Sequence, residues 1–357
     1  MTRRAALLAP AVMVQAQAGA PRVGVIGLGH RGTAHLKALR SFPGVRVVAV
    51  SDVDPERMRR ANGLLPERAA EYADYRELLK DRNVSAVVIA TPNFLHSEMA
   101  IAALRAGKDV LLEKPIASTY SQARQLQYEA SRSSQILAVG MQRRYARRDR
   151  QIQLVVDSGV LGKLHAGSAS DWRGDWNPDG WQYTDPLTRV RTNWRHRKRT
   201  AGSSELELSI HTFAQIAAVV DSAVTRVTAS GTAARYRDRE TRDVSAALIE
   251  FDNGVRFTYS FCLFAKAGGG PPFALAGDQG TLRVEGGRVL LNNQPAPEYE
   301  KVEEAPEIRM YREFFDAVAR RRPSELNADR AMAAAKIAFL LDLSIEAGRP
   351  ALATELR

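Results

Sequence analysis

The chain has 357 residues, with 51 Lys+Arg against 40 Asp+Glu, a formal surplus of +11. That length allows two domains of about 100–200 residues each, and a composition 45% hydrophobic and 25% charged excludes disorder over most of the chain. No uncharged apolar run approaches the roughly 20 residues of a membrane span, Cys262 is the only cysteine, and none of the six histidines forms a His-Glu-x-x-His pair, so membrane insertion, an internal disulfide and a metal centre are not expected.

In chain order, residues 1–20 place Arg3-Arg4 before a short apolar stretch, Ala5 to Val14, and a small-x-small Ala16-Gln17-Ala18. This is the layout of a twin-arginine secretory leader, so a periplasmic, exported protein is expected, with a cytoplasmic extension as the alternative. Such export carries folded proteins, which lets a cofactor be loaded beforehand. Arg22 to Ile26 reads as an apolar strand, followed by Gly27-Leu28-Gly29-His30-Arg31-Gly32 and a helix over Thr33 to Ser41. Gly27 permits the tight turn, Gly29 lets backbone approach a pyrophosphate, and Gly32 lets helix pack on strand, with phosphates at the positive helix end. The next strand, Val45 to Ser51, ends at Asp52, twenty positions past Gly32. A carboxylate there accepts hydrogen bonds from ribose hydroxyls and repels a 2′-phosphate, so NAD is expected over NADP.

The chain then alternates: helices over Pro55–Leu64 and Tyr75–Lys80, a buried strand Ala86–Ala90, the loop Thr91-Pro92-Asn93-Phe94-Leu95-His96, and a helix Ser97–Ala106. Lys108–Leu112 is a strand running into Glu113-Lys114-Pro115. Thr91, Pro92, Asn93, His96, Glu113 and Lys114 thus share the carboxyl edge of a parallel sheet, where ligands bind. A lysine pinned at a strand end is poorly explained by packing.

The glycine loop, Thr91-Pro92-Asn93…His96 and Gly107-Lys108-Asp109-Val110-Leu111-Leu112-Glu113-Lys114-Pro115 together resemble the glucose–fructose oxidoreductase / inositol dehydrogenase (Gfo/Idh/MocA) family. Gln142-Arg143-Arg144-Tyr145 and Gly159-Val160-Leu161-Gly162-Lys163 add to the likeness, which runs from about Pro21 to the C-terminus. The resemblance implies an α/β N-terminal Rossmann domain, a doubly wound parallel sheet, over 21–141. It further implies an α+β C-terminal domain over 142–357, with a large open, mostly antiparallel sheet. The cofactor set it implies is Gly27, Leu28, Gly29, His30, Arg31, Gly32, Asp52, Thr91, Pro92, Asn93, His96, Glu113, Lys114 and Gln142. The open face would cover the nicotinamide, supply the substrate site and pair copies as a homodimer or homotetramer.

After Arg150 the pattern becomes alternating strands: His165–Trp172, Ala223–Gly231, Val244–Asp252 and Gly254–Phe264, with Asp252-Asn253-Gly254 as a hairpin turn. Pro272–Gly277, Gly280–Glu285 and Arg288–Leu291 add strand, and Glu307–Arg321 and Asn327–Ala347 read as helices. Glu207-Leu208-Ser209-Ile210-His211 reads as the opening of a helix to Val220, whose spacing of four puts Glu207 and His211 on one face. The family carries an acid, three spacers and a histidine here; its acid is commonly Asp, and another Asp often follows where this chain has Ala214.

The implied catalytic set is Lys114, Glu207 and His211. His211 would take the proton of a secondary hydroxyl, Lys114 as ammonium would stabilise the developing alkoxide, and Glu207 would orient either. All four tryptophans fall within 23 positions, among Asp, Asn and Arg, a composition suited to stacking on sugars as well as to ordinary packing. Arg144, Tyr145, Trp176, Trp194 and Arg195 are the candidate substrate residues. The arginine clusters (five in Met141–Arg150, and Arg195-His196-Arg197-Lys198-Arg199) read as solvated faces or small-molecule contacts, since no nucleic-acid motif accompanies them. Cys262 reads as inert packing.

The expected function is an NAD(H)-dependent oxidoreductase acting on a secondary hydroxyl of a sugar or polyol, with a tightly held cofactor. One alternative is a redox-neutral, NAD-dependent glycoside hydrolase, from whose pattern Leu208 and Thr212 depart. Another is a non-catalytic nucleotide-binding regulator, against which Lys114, Glu207 and His211 speak together.

Overall fold

A computed structural model describes residues 20–175, 181–184, 191–266, 270 and 272–357. Residues 1–19 of the expected leader, and Trp176, lie outside that set. The first half alternates strand and helix: β1 (Arg22–Ile26), α1 (His30–Leu39), β2 (Arg46–Ser51), α2 (Pro55–Asn62), β3 (Ala70–Tyr72), α3 (Tyr75–Lys80), β4 (Ala86–Ile89), α4 (His96–Arg105), β5 (Asp109–Leu112), α5 (Tyr120–Arg132) and β6 (Leu137–Val139). All six strands are parallel, in the order β3-β2-β1-β4-β5-β6. Strands β4 and β5 are continuous apolar runs because helices cover both of their faces. Side-chain caps start the helices where the sequence offers them: Asp54, Asp74 and Thr119 each accept from an amide of the turn they open. The chain leaves β1 first toward β2 and later toward β4, so the carboxyl ends of β1 and β4 flank the crevice of a topological switch point. α5 and β6, unread in the sequence, complete this sheet.

The second half comprises α6 (Arg147–Asp157), β7 (Leu164–Trp172), β8 (Gln182–Thr184), β9 (Arg191–Asn193), α7 (Lys198–Ala201), α8 (Ser204–Leu208), α9 (Ile210–Val220), β10 (Val224–Thr232), β11 (Val244–Phe251), β12 (Arg256–Cys262), β13 (Ala274–Gly277), β14 (Thr281–Glu285), β15 (Arg288–Leu291), β16 (Gln294–Pro295), α10 (Pro306–Arg320), α11 (Ala328–Ala347) and β17 (Ala351–Leu352). Nine of its strands form one mixed sheet, ordered β16-β15-β14-β13-β7-β12-β11-β10-β17, antiparallel except where β7 pairs with β12. On β12, Phe257, Tyr259 and Phe261 are buried, while Arg256 and Thr258 lie on the open face. β8 and β9 form a separate hairpin that the sequence pattern does not disclose.

Two long-range features set the site. The helix expected to run unbroken from Glu207 to Val220 is two helices meeting at Ser209, whose backbone (φ −98°, ψ 2°) leaves the helical region. Ser209 Oγ accepts from the buried Tyr259 hydroxyl at 2.6 Å, which pins the break to the sheet. And α10 and α11 return to the parallel sheet: Val139 N–H donates to Leu326 O at 2.7 Å, Gln127 Nε2 to Asp329 Oδ1 at 2.7 Å, and Tyr311 meets His35.

Candidate active site

The glycine loop closes the gap between β1 and α1. Gly27 has φ +85°, and a Cβ there would lie 2.8 Å from the Ala90 carbonyl. A Cβ on Gly32 would sit 1.8 Å from Gly27 O, a backbone atom with no freedom to retreat. Gly32→Ala is therefore expected to destabilise this half by about 2–3 kcal/mol and to abolish dinucleotide binding, read by denaturant unfolding and by titration with NADH. Gly29 caps α1 without a side-chain hydrogen bond, and a Cβ there would meet nothing within 4 Å. The amino end of α1 is thus open to an anion.

Asp52 is nearly buried: Oδ2 accepts from Leu28 N–H at 2.7 Å, Oδ1 from Asp54 N–H at 3.0 Å, and Arg57 Nη1 lies 3.7 Å away. It ties the glycine loop to the end of β2. At the carboxyl edges of β4 and β6, Thr91 Oγ1 and Gln142 Oε1 are buried without hydrogen-bond partners among the described residues. Open helix terminus, acidic strand end and two unmatched polar atoms along one crevice fit a dinucleotide.

Glu113 and Lys114 extend from β5. Glu113 Oε1 accepts from Arg31 Nε at 2.7 Å and pairs with His35 Nε2 at 3.0 Å, while Oε2 accepts from Lys114 N–H at 3.0 Å. Burial alone would raise this carboxyl; the His35 hydrogen bond and the charges of Arg31 and Lys114 outweigh it and hold it well below the usual range. Glu113 and Arg31, both expected on the cofactor, are partners of each other, because a buried carboxylate needs its charge matched.

Lys114 Nζ donates to Glu207 O at 2.7 Å and to Glu207 Oε1 at 3.1 Å. Glu207 Oε2 accepts from Asn93 Nδ2 at 3.0 Å, and Asn93 also donates to Ala201 O at 3.0 Å. Asn93 is thus a buried tie between the β4 loop and Glu207. His96 is buried as well. Its two ring nitrogens sit 2.7 Å from Pro115 O and 2.9 Å from Thr91 O, bracing both ligand loops, and burial lowers its pKa.

His211 opens α9 beside Lys114. Its Nδ1 is buried without a hydrogen-bond partner among the described residues. Burial first, then the nearby charges of Lys114 and Arg143, hold its pKa well below 6.5, so the ring is a neutral acceptor in neutral solution. Glu207 ends one short helix and His211 opens the next, so the Ser209 break separates them, and each is placed beside Lys114 instead.

The expected substrate residues divide. Trp181 joins the glycine loop to the hairpin, with ring centroids 5.8 Å from His30 and 6.0 Å from Trp194, and Arg195 stacks over it at 5.0 Å. Arg195 also lies 3.8 Å from Glu207 Oε1, which places it and Trp194 beside the Lys114 cluster. Arg144 does not reach that cluster: Nη1 donates to Gln153 Oε1 at 3.1 Å and Gln215 Oε1 at 3.2 Å, fastening α6 to α9. Tyr145 is buried under Arg309 and its hydroxyl lies 3.5 Å from Glu325, on the α10 side. In Gln142-Arg143-Arg144-Tyr145 a short 3-10 turn fans out successive side chains, and it is Arg143, missed in the sequence, whose charge acts on His211.

A cleft of about 630 Å³ adjoins this point, between α6, the start of α9, the end of β7, and the β13–β14 pair. No group of three or more His, Cys, Asp or Glu among the described residues could hold a metal, and no helix among them is long and apolar enough to cross a membrane.

Residues 21–141 match the oxidoreductase family with an NAD-binding Rossmann fold, and residues 150–283 match the GFO/IDH/MocA C-terminal domain. The chain is 30% identical over 251 residues to the myo-inositol 2-dehydrogenase of Thermotoga maritima, covering 67% of this chain and 70% of that one. An oxidoreductase structure from Thermotoga maritima superposes with a TM-score of 0.80 at 20% identity, covering 94% of this chain and 99% of the other. The WlbA dehydrogenase of Bordetella pertussis, solved with NADH and UDP-GlcNAcA, gives 0.78 at 19%, covering 93% and 98%. Those two likenesses speak for the fold; the two matched segments and the inositol dehydrogenase speak for descent. Glycine loop, Glu113-Lys114-Pro115 and the Glu207–His211 pair all fall where these matches run, and the chain belongs to the GFO/IDH/MocA oxidoreductases.

Proposed function

We propose that the protein is an NAD(H)-dependent oxidoreductase that interconverts a secondary hydroxyl and a ketone on a sugar or polyol. The observation that carries the reading is Lys114 Nζ, held by Glu207, beside a neutral His211 with an unmatched ring nitrogen, next to the dinucleotide crevice. NAD, bound along that crevice, would supply a hydride acceptor at its nicotinamide ring. Gly27, Gly29 and Gly32 would admit it, Asp52 would accept from its ribose hydroxyls, and Thr91 and Gln142 would offer hydrogen bonds on the inner side. Lys114 has three N–H groups, two of them donated to Glu207. The third would remain for the substrate oxygen, where it would stabilise alkoxide character as the carbinol C–H hydride leaves. His211 accepts the hydroxyl proton, and Glu207, anchored by Asn93, keeps Lys114 within reach of the same oxygen.

Asp52 supports NAD over NADP, since a 2′-phosphate would meet a carboxylate already bound to Leu28 N–H. An exported protein meets little free NAD, so the leader over 1–20 belongs to this reading together with a tightly held cofactor. The open sheet face bearing Thr258, Leu248 and Arg256 is the surface through which a homodimer or homotetramer would form.

The test follows near-ultraviolet absorbance of reduced nicotinamide while sugars, cyclitols and aryl glycosides are added singly with NAD or NADP. Stoichiometric reduction of NAD by one polyol class is expected, with NADP slower by at least about tenfold, a difference of roughly 1.4 kcal/mol. Cleavage of an aryl glycoside without net reduction would replace this reading by the redox-neutral hydrolase. No response from any polyol or glycoside would remove the enzymatic reading.

A further inference from the structure

The two groups that serve one substrate oxygen stand on different segments: Lys114 follows β5, and His211 opens α9. The reaction therefore depends on how the start of α9 is held relative to Lys114, and a misplacement of about 1 Å can cost about 10² in rate. Between them, α8 spans only Ser204–Leu208. A helix so short keeps no pose of its own, so its attachments decide where α9 begins. At its carboxyl end, Lys114 Nζ donates to Glu207 O at 2.7 Å and Arg173 Nη2 to Leu208 O at 3.1 Å, two carbonyls that the helix itself leaves over.

Ser209 is the joint. Its N–H donates to Glu205 O at 2.8 Å and its carbonyl accepts from Phe213 N–H at 2.9 Å, so it closes α8 and opens α9. A serine in that place ordinarily accepts from an amide of the turn it opens, as Asp54, Asp74, Thr119, Ser203 and Asn327 do in this chain. Ser209 makes no such bond. Its hydroxyl is turned to β12 and accepts from the Tyr259 hydroxyl at 2.6 Å, both residues being buried. The Tyr259 ring meanwhile lies against Phe213, with centroids 4.8 Å apart. Tyr259 thus touches the chain two residues before His211 and two residues after it. Its own backbone is fixed inside the nine-stranded sheet, opposite Ala247 of β11 and Ala169 of β7. Burial, with the nearby Asp171, pushes its phenol well above the ordinary range, so the hydroxyl stays a donor.

We propose that Tyr259 is a positioning residue for the reaction: by holding Ser209 and Phe213 against the sheet, it sets His211 where one substrate oxygen can reach both the imidazole and Lys114. The proposal rests on the function proposed above, in which His211 is the base.

The test measures hydride transfer in single turnovers of Tyr259→Phe, which loses one hydroxyl and keeps its ring on Phe213. The rate is expected to fall by a factor on the order of 10–10², while KM and the NADH dissociation constant change by less than about twofold. Ser209→Ala removes the same bond from the other side, and the double variant should lose no more than the worse single one. In a His211→Asn background Tyr259→Phe should cost nothing further, because no base is left to place. Three results overturn the positioning role: full turnover by a folded Tyr259→Phe protein, a loss carried by KM or NADH binding, or an equal loss in the His211→Asn background. A His211→Asn protein that keeps full turnover overturns instead the function on which the proposal rests. If no polyol is oxidised, that function fails too, and the hold on His211 is read without turnover. The ring resonances of His211 in the NADH-loaded protein, identified by their loss in His211→Asn, should then shift in Tyr259→Phe while those of His35 stay in place. An unmoved His211 overturns the hold.

Discussion

Lys114→Met lowers kcat by a factor on the order of 10²–10³, the usual loss when one donor to a developing oxyanion is removed, and leaves NADH affinity nearly unchanged. Methionine keeps the length and the apolar stem of lysine, so the loop after β5 retains its packing. What disappears is the charge that Glu207 O and Oε1 hold in place. Glu207 keeps its hydrogen bond from Asn93 and the nearby Arg195, so the carboxylate is not abandoned in the interior. NADH titration, thermal unfolding and steady-state rates on one preparation separate the effects. Full turnover by a correctly folded Lys114→Met protein would remove Lys114 from the chemistry. A proportional loss of NADH binding would make it a cofactor residue instead.

The second large effect belongs to His211. His211→Asn should cost about 10²–10⁴ in kcat, the range for a positioned general base, and it should also change the shape of the pH profile. Because burial and the charges of Lys114 and Arg143 depress the His211 pKa, the ring is already unprotonated at neutral pH. Wild-type kcat/KM should therefore be level through neutrality and fall only well below pH 6.5, with an acid limb that His211→Asn lacks.

The same shift makes a stability statement with a fixed sign. An unfolded histidine takes up its proton near pH 6.5 while the folded one resists, so the unfolded state binds more protons as pH falls. The stabilisation is complete above that pH and is lost as pH drops toward the folded pKa. His211→Asn should flatten part of the acid-side decline in melting temperature, leaving the part due to the similarly shifted His96. An acid limb in kcat/KM that persists unchanged in the variant would assign it to another group.

What the sequence discloses here is what its local stereochemistry enforces. Gly27 and Gly32 occupy positions a Cβ would block, Asp52 ends a strand, and Lys114 ends another, so the dinucleotide crevice and the strand-end lysine are readable one segment at a time. The reading loses its grip where a partner lies far along the chain. Nothing near Asn93 in the chain shows that Glu207 and Ala201, more than 100 residues away, take its amide. Periodicity makes Glu207 and His211 turn-mates of one helix, whereas a hydroxyl from β12 breaks that helix at Ser209. Nothing local distinguishes Arg143 from Arg144; a short 3-10 turn decides which one's charge acts on His211 and which ties α6 to α9. The aromatic-rich stretch gave a composition but no hairpin, because strands of three residues carry too little alternation to be seen.

The contact of Tyr311 with His35 bears on how this chain can be recombined. From α10, Tyr311 meets His35 on α1, and His35 with Arg31 holds Glu113 at the end of β5. Leu326, just before α11, supplies the carbonyl that closes β6. The cofactor-binding half is therefore finished by residues from the far end of the polypeptide. A graft that exchanges cofactor halves between relatives at the end of β6 would leave a buried imidazole and a strand-edge amide facing a foreign helix. An exchange that moves residues 306–347 together with 21–141 keeps both, and so the natural unit of inheritance for the dinucleotide site is discontinuous in sequence.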